Sequence, residues 1–196
     1  NINDTGAGIN VSNNSGGSIT FSGGTKTLNT DTNDAVILAN NTGSTVNITN
    51  GGLDIDTTSG TGLNASGGGT IAVSGAGNTI TAASGTALDL DGVTADMTFD
   101  ALSSTGSAGN GIQINNLSGT GLQVTSATVN NSTTAGVSVQ NSSADINFNN
   151  LNITSAGTTG LDVTDSSGTT DINSVVIIDS GANGISLNDS GKAFIK

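Results

Sequence analysis

The sequence predicts an all-β fold, a three-sided parallel β-solenoid with about 24–27 residues per rung, seven complete rungs and a partial eighth. The first observation is a unit of Gly or Ala, an apolar residue, a variable residue and a second apolar residue that returns along the whole chain. The second is strict alternation of apolar and polar residues in short runs. The third is turn chemistry, rich in Asn, Ser and Gly, between those runs. The units begin at Gly8, Ala35, Gly62, Ala87, Gly111, Gly136, Gly160 and Gly184.

Residues 136–159 show how one rung is built. Apolar and polar residues alternate in three runs, 136–139, 145–148 and 151–154, which is the periodicity of strands. Polar breaks at 140–143 and 149–150 separate the runs, and a loop at 155–159 leads to the next rung. We therefore expect three strands of three or four residues per rung. Parallel stacking is favoured over hairpins, which would need longer strands and register-setting Asn-Gly or Asp-Gly turns.

Stacked in this way, the first run of every rung contributes two inward columns of apolar side chains. The first column is Ile9, Val36, Leu63, Leu88, Ile112, Val137, Leu161 and Ile185. The second column is Val11, Leu38, Ala65, Leu90, Ile114, Val139, Val163 and Leu187.

The other two faces are also predicted to bury alternate residues, the third less regularly than the second. For the second face we expect Ile19, Phe21, Val46, Ile48, Ile71, Val73, Met97, Phe99, Leu122, Val124, Ile146, Phe148, Ile172 and Phe194. For the third face we expect Leu28, Leu53, Ile55, Ile80, Leu102, Val129, Leu151, Ile153, Val176 and Ile178.

One corner of each rung carries a residue type suited to a tight turn. Asn and Asp tolerate a left-handed backbone, and stacked amides can hydrogen-bond from rung to rung. Gly67 and Gly92 occupy the same place in two rungs, where Gly adopts this conformation freely. We therefore predict a structural corner ladder. Its Asn members are Asn13, Asn40, Asn116 and Asn141, and Asp165 and Asp189 take the same place later.

Composition excludes several partners. All 15 acidic residues are Asp and only three residues are Lys, so the net charge is −12. We expect no nucleic-acid binding, which needs clustered cations, and no membrane insertion, since no apolar run approaches about 18 residues. Low lysine and the absence of Cys are typical of secreted microbial surface proteins, so we expect an extracellular or cell-surface prokaryotic protein.

Catalytic chemistry is poorly represented. Without His or Arg, a polysaccharide lyase lacks its usual base and cation. Asp54 with Asp56, and Asp89 with Asp91, are outward carboxylate pairs that we interpret as solvated faces, although hydrolysis needs such pairs. Calcium is the one cofactor that the sequence suggests. Asp165 and Asp189 are its candidate ligands, with Asp171 and Asp179 on neighbouring loops.

The apolar units and the Asn corner resemble right-handed parallel β-helix proteins of the pectin-lyase-like type. In particular the chain is similar to the β-strand-repeat segments of bacterial surface proteins, such as autotransporter passengers and filamentous adhesins. This resemblance covers nearly the whole chain. It implies a right-handed coil and a place on a cell surface.

We therefore expect residues 1–196 to form one β-solenoid domain that belongs to a longer repeat array or filament. The expected function is that of a non-catalytic rod, an adhesin shaft, stalk or filament subunit. Full-strength apolar units at both ends predict self-association through open solenoid ends. A surface receptor or glycan is a further expected partner. The alternative is a carbohydrate-active β-helix, a polysaccharide hydrolase or depolymerase.

Overall fold

The chain folds as a parallel β-solenoid of about seven turns, which confirms the predicted fold class. The structure is a computed structural model that describes residues 2–3 and 6–196, with the backbone alone for Ile2 and Asn3. The described residues form 21 strands and no helix. The strands are, in chain order, β1 (Ile2–Asn3), β2 (Ile9–Ser12), β3 (Gly17–Phe21), β4 (Lys26–Asn29), β5 (Val36–Ala39), β6 (Ser44–Ile48), β7 (Leu53–Thr57), β8 (Leu63–Ser66), β9 (Thr70–Val73), β10 (Thr79–Ala82), β11 (Leu88–Asp91), β12 (Thr94–Thr105), β13 (Ile112–Asn115), β14 (Ser118–Asn130), β15 (Val137–Gln140), β16 (Ile146–Thr154), β17 (Leu161–Thr164), β18 (Thr169–Ile172), β19 (Val175–Ile178), β20 (Ile185–Asn188) and β21 (Lys192–Ile195).

Three stacks of strands enclose the interior. Face 1 is a separate eight-stranded sheet of β2, β5, β8, β11, β13, β15, β17 and β20. Face 2 contains β3, β6, β9, the first parts of β12, β14 and β16, and then β18 and β21. Face 3 contains β1, β4, β7, β10, the second parts of β12, β14 and β16, and then β19.

The register of face 1 reproduces the sequence period step by step. Ile9 pairs with Val36, and the same column continues without a shift to the pairing of Leu161 with Ile185. Both predicted columns of this face point inward, where all rungs between the first and the last bury them almost completely. The strands of a middle rung pair with the rungs before and after it, and the core contains few aromatic side chains, since the whole chain has four Phe. Two of them, Phe99 and Phe148, are among the largest fully buried side chains.

Close rung-to-rung packing explains the small residue that leads each repeat unit. A Cβ placed on Gly160 would lie 2.5 Å from the carbonyl oxygen of Gly184 and 2.5 Å from Cγ2 of Ile177. Both distances are shorter than van der Waals contact. The backbone of the next rung and the side chain of Ile177 therefore leave no room for a Cβ at position 160.

The expectation of strands no longer than four residues is wrong in the middle of the chain. Faces 2 and 3 are joined there by continuous bent strands of 12, 13 and 9 residues, β12, β14 and β16. Asn149 and Asn150, expected as a break, both lie within β16 and are both exposed. Phe148 pairs with Val124 and Asn150 with Ser126, so the strand turns from face 2 to face 3 at Asn149 without a shift in register.

The structure also corrects three inward assignments near the C-terminal end. Val175 and Ile177, not Val176 and Ile178, stack on Leu151 and Ile153 of β16. Val176 and Ile178 therefore point outward and are 49% and 50% exposed. Because all four residues of β19 are apolar, alternation alone could not decide which pair faces the core.

Phe194 is the third of these corrections. It pairs with the outward residue Asp171, and Ile195 continues the inward column above Ile172. Phe194 is 50% exposed as a result. A one-residue difference in register thus moves this side chain from the expected interior to the surface.

Candidate functional site: the corner column and the outer carboxylates

The predicted corner column follows directly after the face 1 strands, and every position in it has a positive φ. The angles lie between 46° at Asp189 and 72° at Gly67. Asn, Asp and Gly are the residues that adopt this left-handed conformation at least cost. The column consists of Asn13, Asn40, Gly67, Gly92, Asn116, Asn141, Asp165 and Asp189.

The side chains of this column do not form a continuous amide ladder. Nδ2 of Asn40 donates a long 3.4 Å hydrogen bond to Oδ1 of Asn13. Nδ2 of Asn141 donates instead to Oδ1 of Asn115, one position earlier in the preceding rung, at 3.2 Å. Gly67 and Gly92 contribute no side chain. What the corner residues share is therefore their left-handed backbone conformation, and side-chain hydrogen bonds join only some of them.

A better-formed ladder lies one residue further on and was not predicted. Oδ1 of Asn41 accepts hydrogen bonds from the Asn14 backbone N–H at 3.2 Å and from Asn14 Nδ2 at 2.9 Å. Later in the chain, Oγ of Ser166 accepts from the backbone N–H of Ser142 at 3.2 Å. Asn41, Ser142 and Ser166 are buried. The sequence signal for this ladder is a second polar residue directly after the corner residue.

A second left-handed corner, after face 3, was also missed. Positive φ values of 48° to 70° recur at the end of the face 3 strands. Residue types vary more here than in the first corner, so the column has no single sequence signature. Its members are Asp31, Gly106, Asn131, Ser155 and Asp179.

The structure brings together the two candidate calcium ligands, but not the two acidic residues expected on neighbouring loops. Asp165 and Asp189 are neighbours in the first corner column and line one shallow surface groove of about 320 Å³, with Ser166, Ser167, Ser190 and Gly191. Asp179 belongs to the second corner. No described group of three or more His, Cys, Asp or Glu side chains is arranged to hold a metal ion. Calcium binding by Asp165 and Asp189 stays a prediction.

Asp171, expected on a loop, lies in strand β18 of face 2. Its Oδ1 is 3.8 Å from Nζ of Lys196. That ammonium group also donates a 3.0 Å hydrogen bond to Oδ1 of Asn173. The Asp171 carboxylate thus lies near Lys196 on face 2 and does not line the groove of Asp165 and Asp189.

The other carboxylates of interest lie on the outside of face 1. Oδ2 of Asp34 accepts a 3.0 Å hydrogen bond from Nδ2 of Asn64, whose strand neighbour in the next rung is Asp89. Burial raises the pKa of the half-buried Asp89 carboxyl, and the negative charges of Asp91 and then of Asp34 raise it further. Three carboxylates and an amide thus form one polar group on this face.

The second predicted carboxylate pair does not join this group. Asp54 and Asp56 flank the buried Ile55 on strand β7, which belongs to face 3. Oδ1 of Asp54 accepts a 3.0 Å hydrogen bond from the Thr79 hydroxyl of the next rung. The two pairs are therefore on different sides of the solenoid, and each is partly exposed as the sequence predicted.

An amide-lined groove of about 280 Å³ lies on the outside of face 2. Its wall includes Gln123, Thr125, Asn147 and Asn149, and Nδ2 of Asn173 donates to Oδ1 of Asn149 at 3.2 Å. Uncharged amides of this kind can exchange hydrogen bonds with hydroxyl-rich ligands.

Among the described residues, no helix has the length and hydropathy needed to cross a membrane. Comparisons of the chain with protein-family models, with curated proteins and with solved structures found no match.

Proposed function

We propose that this chain is a non-catalytic extracellular structural protein, a rigid solenoid rod that serves as an adhesin shaft, stalk or filament subunit. The unbroken register of face 1 carries the proposal, because eight successive strands pair in parallel without a shift. At about 4.8 Å per rung, such a stack spans roughly 35 Å. Each further rung of sequence therefore lengthens the rod by about 4.8 Å.

The last rung supports self-association at the C-terminal end. Ile185 and Leu187 belong to the two inward columns of face 1, which are buried from β5 to β17. These two residues are nevertheless 38% and 45% exposed. Strands β19, β20 and β21 also present one unpaired edge each, since no described strand follows them in the stack. An open edge with apolar inward residues is a template for a further parallel rung. In a solution of the chain, a second copy supplies that rung.

The test is to image the purified chain by negative-stain electron microscopy and to measure its size by sedimentation velocity over a wide concentration range. The expected result is rods that lengthen end to end as concentration rises. Leu187→Lys places an inward charge on the edge and should stop the lengthening. The matched control is Ser186→Lys, which adds the same charge to the outward position of the same strand. Single short rods at all concentrations, for the unmodified chain, would overturn the self-stacking proposal.

A second candidate function is carbohydrate hydrolysis, which one observation favours. The Asp89 carboxyl has a raised pKa and lies beside further carboxylates, as a general acid does in glycosidases. The test is release of reducing ends from neutral and acidic polysaccharides. The expected result for a hydrolase is measurable release that Asp89→Asn abolishes and Asp162→Asn, on the same face, leaves intact. If the unmodified chain releases no reducing ends, hydrolysis is refuted and the rod function is the one that stands.

A further inference from the structure

The outside of face 3 differs from the rest of the surface in its charge. From the third to the seventh rung, none of its outward strand positions is charged. We call these 13 positions the neutral patch. The patch consists of Thr79, Thr81, Ala101, Ser103, Thr105, Ser126, Thr128, Asn130, Asn150, Asn152, Thr154, Val176 and Ile178.

The other two faces carry carboxylates at equivalent outward positions. Asp89, Asp91 and Asp162 lie on face 1, and Asp96 and Asp171 lie on face 2. The whole chain has a net charge of −12. Two copies of so acidic a protein repel each other, and the repulsion is smaller when the surfaces that meet carry no charge. The neutral patch adds no charge of its own to that repulsion, and the carboxylates nearest to it, Asp54, Asp56, Asp100 and Asp179, lie at its borders.

The patch also becomes apolar toward its C-terminal end. One column of the patch consists of Thr81, Ser103, Thr128, Asn152 and Val176. Its side chains are polar in the third to the sixth rung, and the seventh rung has Val. Ile178 follows Thr154 in the neighbouring column in the same way. Outward apolar residues at half exposure, next to uncharged hydroxyls and amides, are typical of a surface that another protein covers.

We infer that the neutral patch binds a second copy of this chain side by side, so that two rods pair laterally through face 3. Such a pairing apposes the patch with itself, which is the isologous arrangement of a two-fold dimer. Hydroxyl and amide groups of the two patches exchange hydrogen bonds, and Val176 and Ile178 of each copy lose water. This contact is distinct from the end-to-end addition of rungs proposed above.

The size of the patch sets the strength of the association. Five strands of about five residues cover roughly 24 Å by 16 Å, or about 400 Å². Stable interfaces bury about 800 Å² per partner, so the lateral pair is weak and reversible. Salt should strengthen it, because screening reduces repulsion between the acidic bodies without weakening an uncharged contact.

The experiment is done in the Leu187→Lys background, in which end-on addition is blocked, so that lateral pairing is measured alone. Sedimentation velocity should show a reversible dimer whose population rises with concentration and with salt. Thr128→Asp with Val176→Asp should weaken the dimer by about tenfold or more, since like charges then meet across the interface. The matched control, Gln123→Glu with Gln140→Glu, adds the same two charges to faces 2 and 1 and should leave the dimer within about threefold.

Circular dichroism and thermal melts establish that both variants are folded. Val176→Thr with Ile178→Thr is a second probe, which keeps strand propensity and neutrality and should weaken the dimer less than the two charges do. In electron micrographs the dimer should appear as a rod of double width and single length. Absence of any dimer at high concentration and high salt, or equal weakening by the patch and control charges, overturns the inference. Either outcome leaves end-to-end stacking of the unmodified chain unaffected.

Discussion

The fifth and the last rungs of face 1 contain the same sequence unit but differ in burial. Ile112 and Ile114 are 0% exposed, whereas Ile185 and Leu187 are 38% and 45% exposed. All four side chains point inward from strands of the same length and register. The difference arises because a neighbouring rung covers the first pair, whereas no described strand covers the second. In a solenoid, a residue's contribution to stability therefore depends on its place in the stack more than on its own rung.

The largest expected effect separates two phenylalanines. Phe148 is fully buried in the middle of the stack, and Phe194 is half exposed near its end. Phe148→Ala should lower the free energy of unfolding by about 3–5 kcal/mol, because a large cavity is left in the core. Phe194→Ala should change it by less than about 0.5 kcal/mol. Urea unfolding of both variants checks the comparison, and similar losses would contradict the assignment of Phe194 to the surface.

The leading glycine of the repeat unit gives the next largest difference. A Cβ at Gly160 would overlap Gly184 O and Ile177 Cγ2, whereas a Cβ at Gly184 would have no heavy atom within 4 Å. Gly160→Ala should cost about 1–3 kcal/mol through overpacking. Gly184→Ala should be neutral to within about 0.5 kcal/mol. If an additional rung covers the C-terminal end in a stacked filament, Gly184→Ala should shorten the filaments even though the single rod is unaffected.

The loss of stability caused by a substitution in the corner column should depend much less on the position of its rung in the stack. Asn141 and Asp189 have φ values of 51° and 46°. Alanine in this left-handed conformation costs about 1–2 kcal/mol wherever it stands, because the strain is within the residue itself. Asn141→Ala and Asp189→Ala should therefore destabilise by similar amounts, as measured by urea unfolding. Asn141→Gly is the control and should cost less than half as much, since two other rungs already have Gly there.

The two ends of the corner column should also differ in cation binding. Calcium at 10 times its dissociation constant would stabilise the fold by about 1.4 kcal/mol if Asp165 and Asp189 hold it. Thermal melts with calcium and with a chelator measure this shift. Asp165→Asn with Asp189→Asn should abolish it and preserve the corner, since Asn occupies the same column elsewhere. An equal calcium shift in that double variant would refute a specific site.

The smallest effect is a pH dependence on face 1. Because the pKa of Asp89 is raised in the folded chain, the folded state holds this proton more tightly than the unfolded state does. Stability from this group is therefore highest in acid and declines as pH rises from the ordinary Asp value of 3.8 through the raised value.

Asp89→Asn should remove this decline and stabilise the chain at pH 7 by less than about 1 kcal/mol, because solvent screens a half-exposed carboxyl. Urea unfolding between pH 4 and pH 7 measures the difference. Asp162→Asn removes the same charge from the same outward column and should give a smaller gain, because neither of its strand neighbours, Ser138 and Ser186, nor Thr164 two positions later is a carboxylate. Equal gains in the two variants would point to net charge instead of the local group.

Sequence reasoning succeeded where a pattern recurs and failed where the pattern is ambiguous. The columns through Ile112 and Ile114 recur in every rung, so register and facing followed from the sequence alone. In β19 every residue is apolar, and both choices of inward pair satisfy alternation. The ladder through Asn41 and Ser142 was not predicted, because the polar residue after the corner does not by itself indicate which backbone group of another rung it contacts. The bend at Asn149 was predicted to be a break because Asn149 and Asn150 are typical turn residues, and the pairing that carries β16 through them is made with another rung.

The sequence by itself determined the period, the parallel stacking, the two core columns of face 1 and the residues fit for a left-handed corner. These features depend on alternation and on backbone conformation, which are properties of neighbouring residues in the chain. Only the tertiary structure decided that Val176, Ile178 and Phe194 face solvent, that Asp89 is half buried beside other carboxylates, and that face 3 is free of charge over five rungs. These features arise from residues about 24 positions apart, which become neighbours only when the rungs stack.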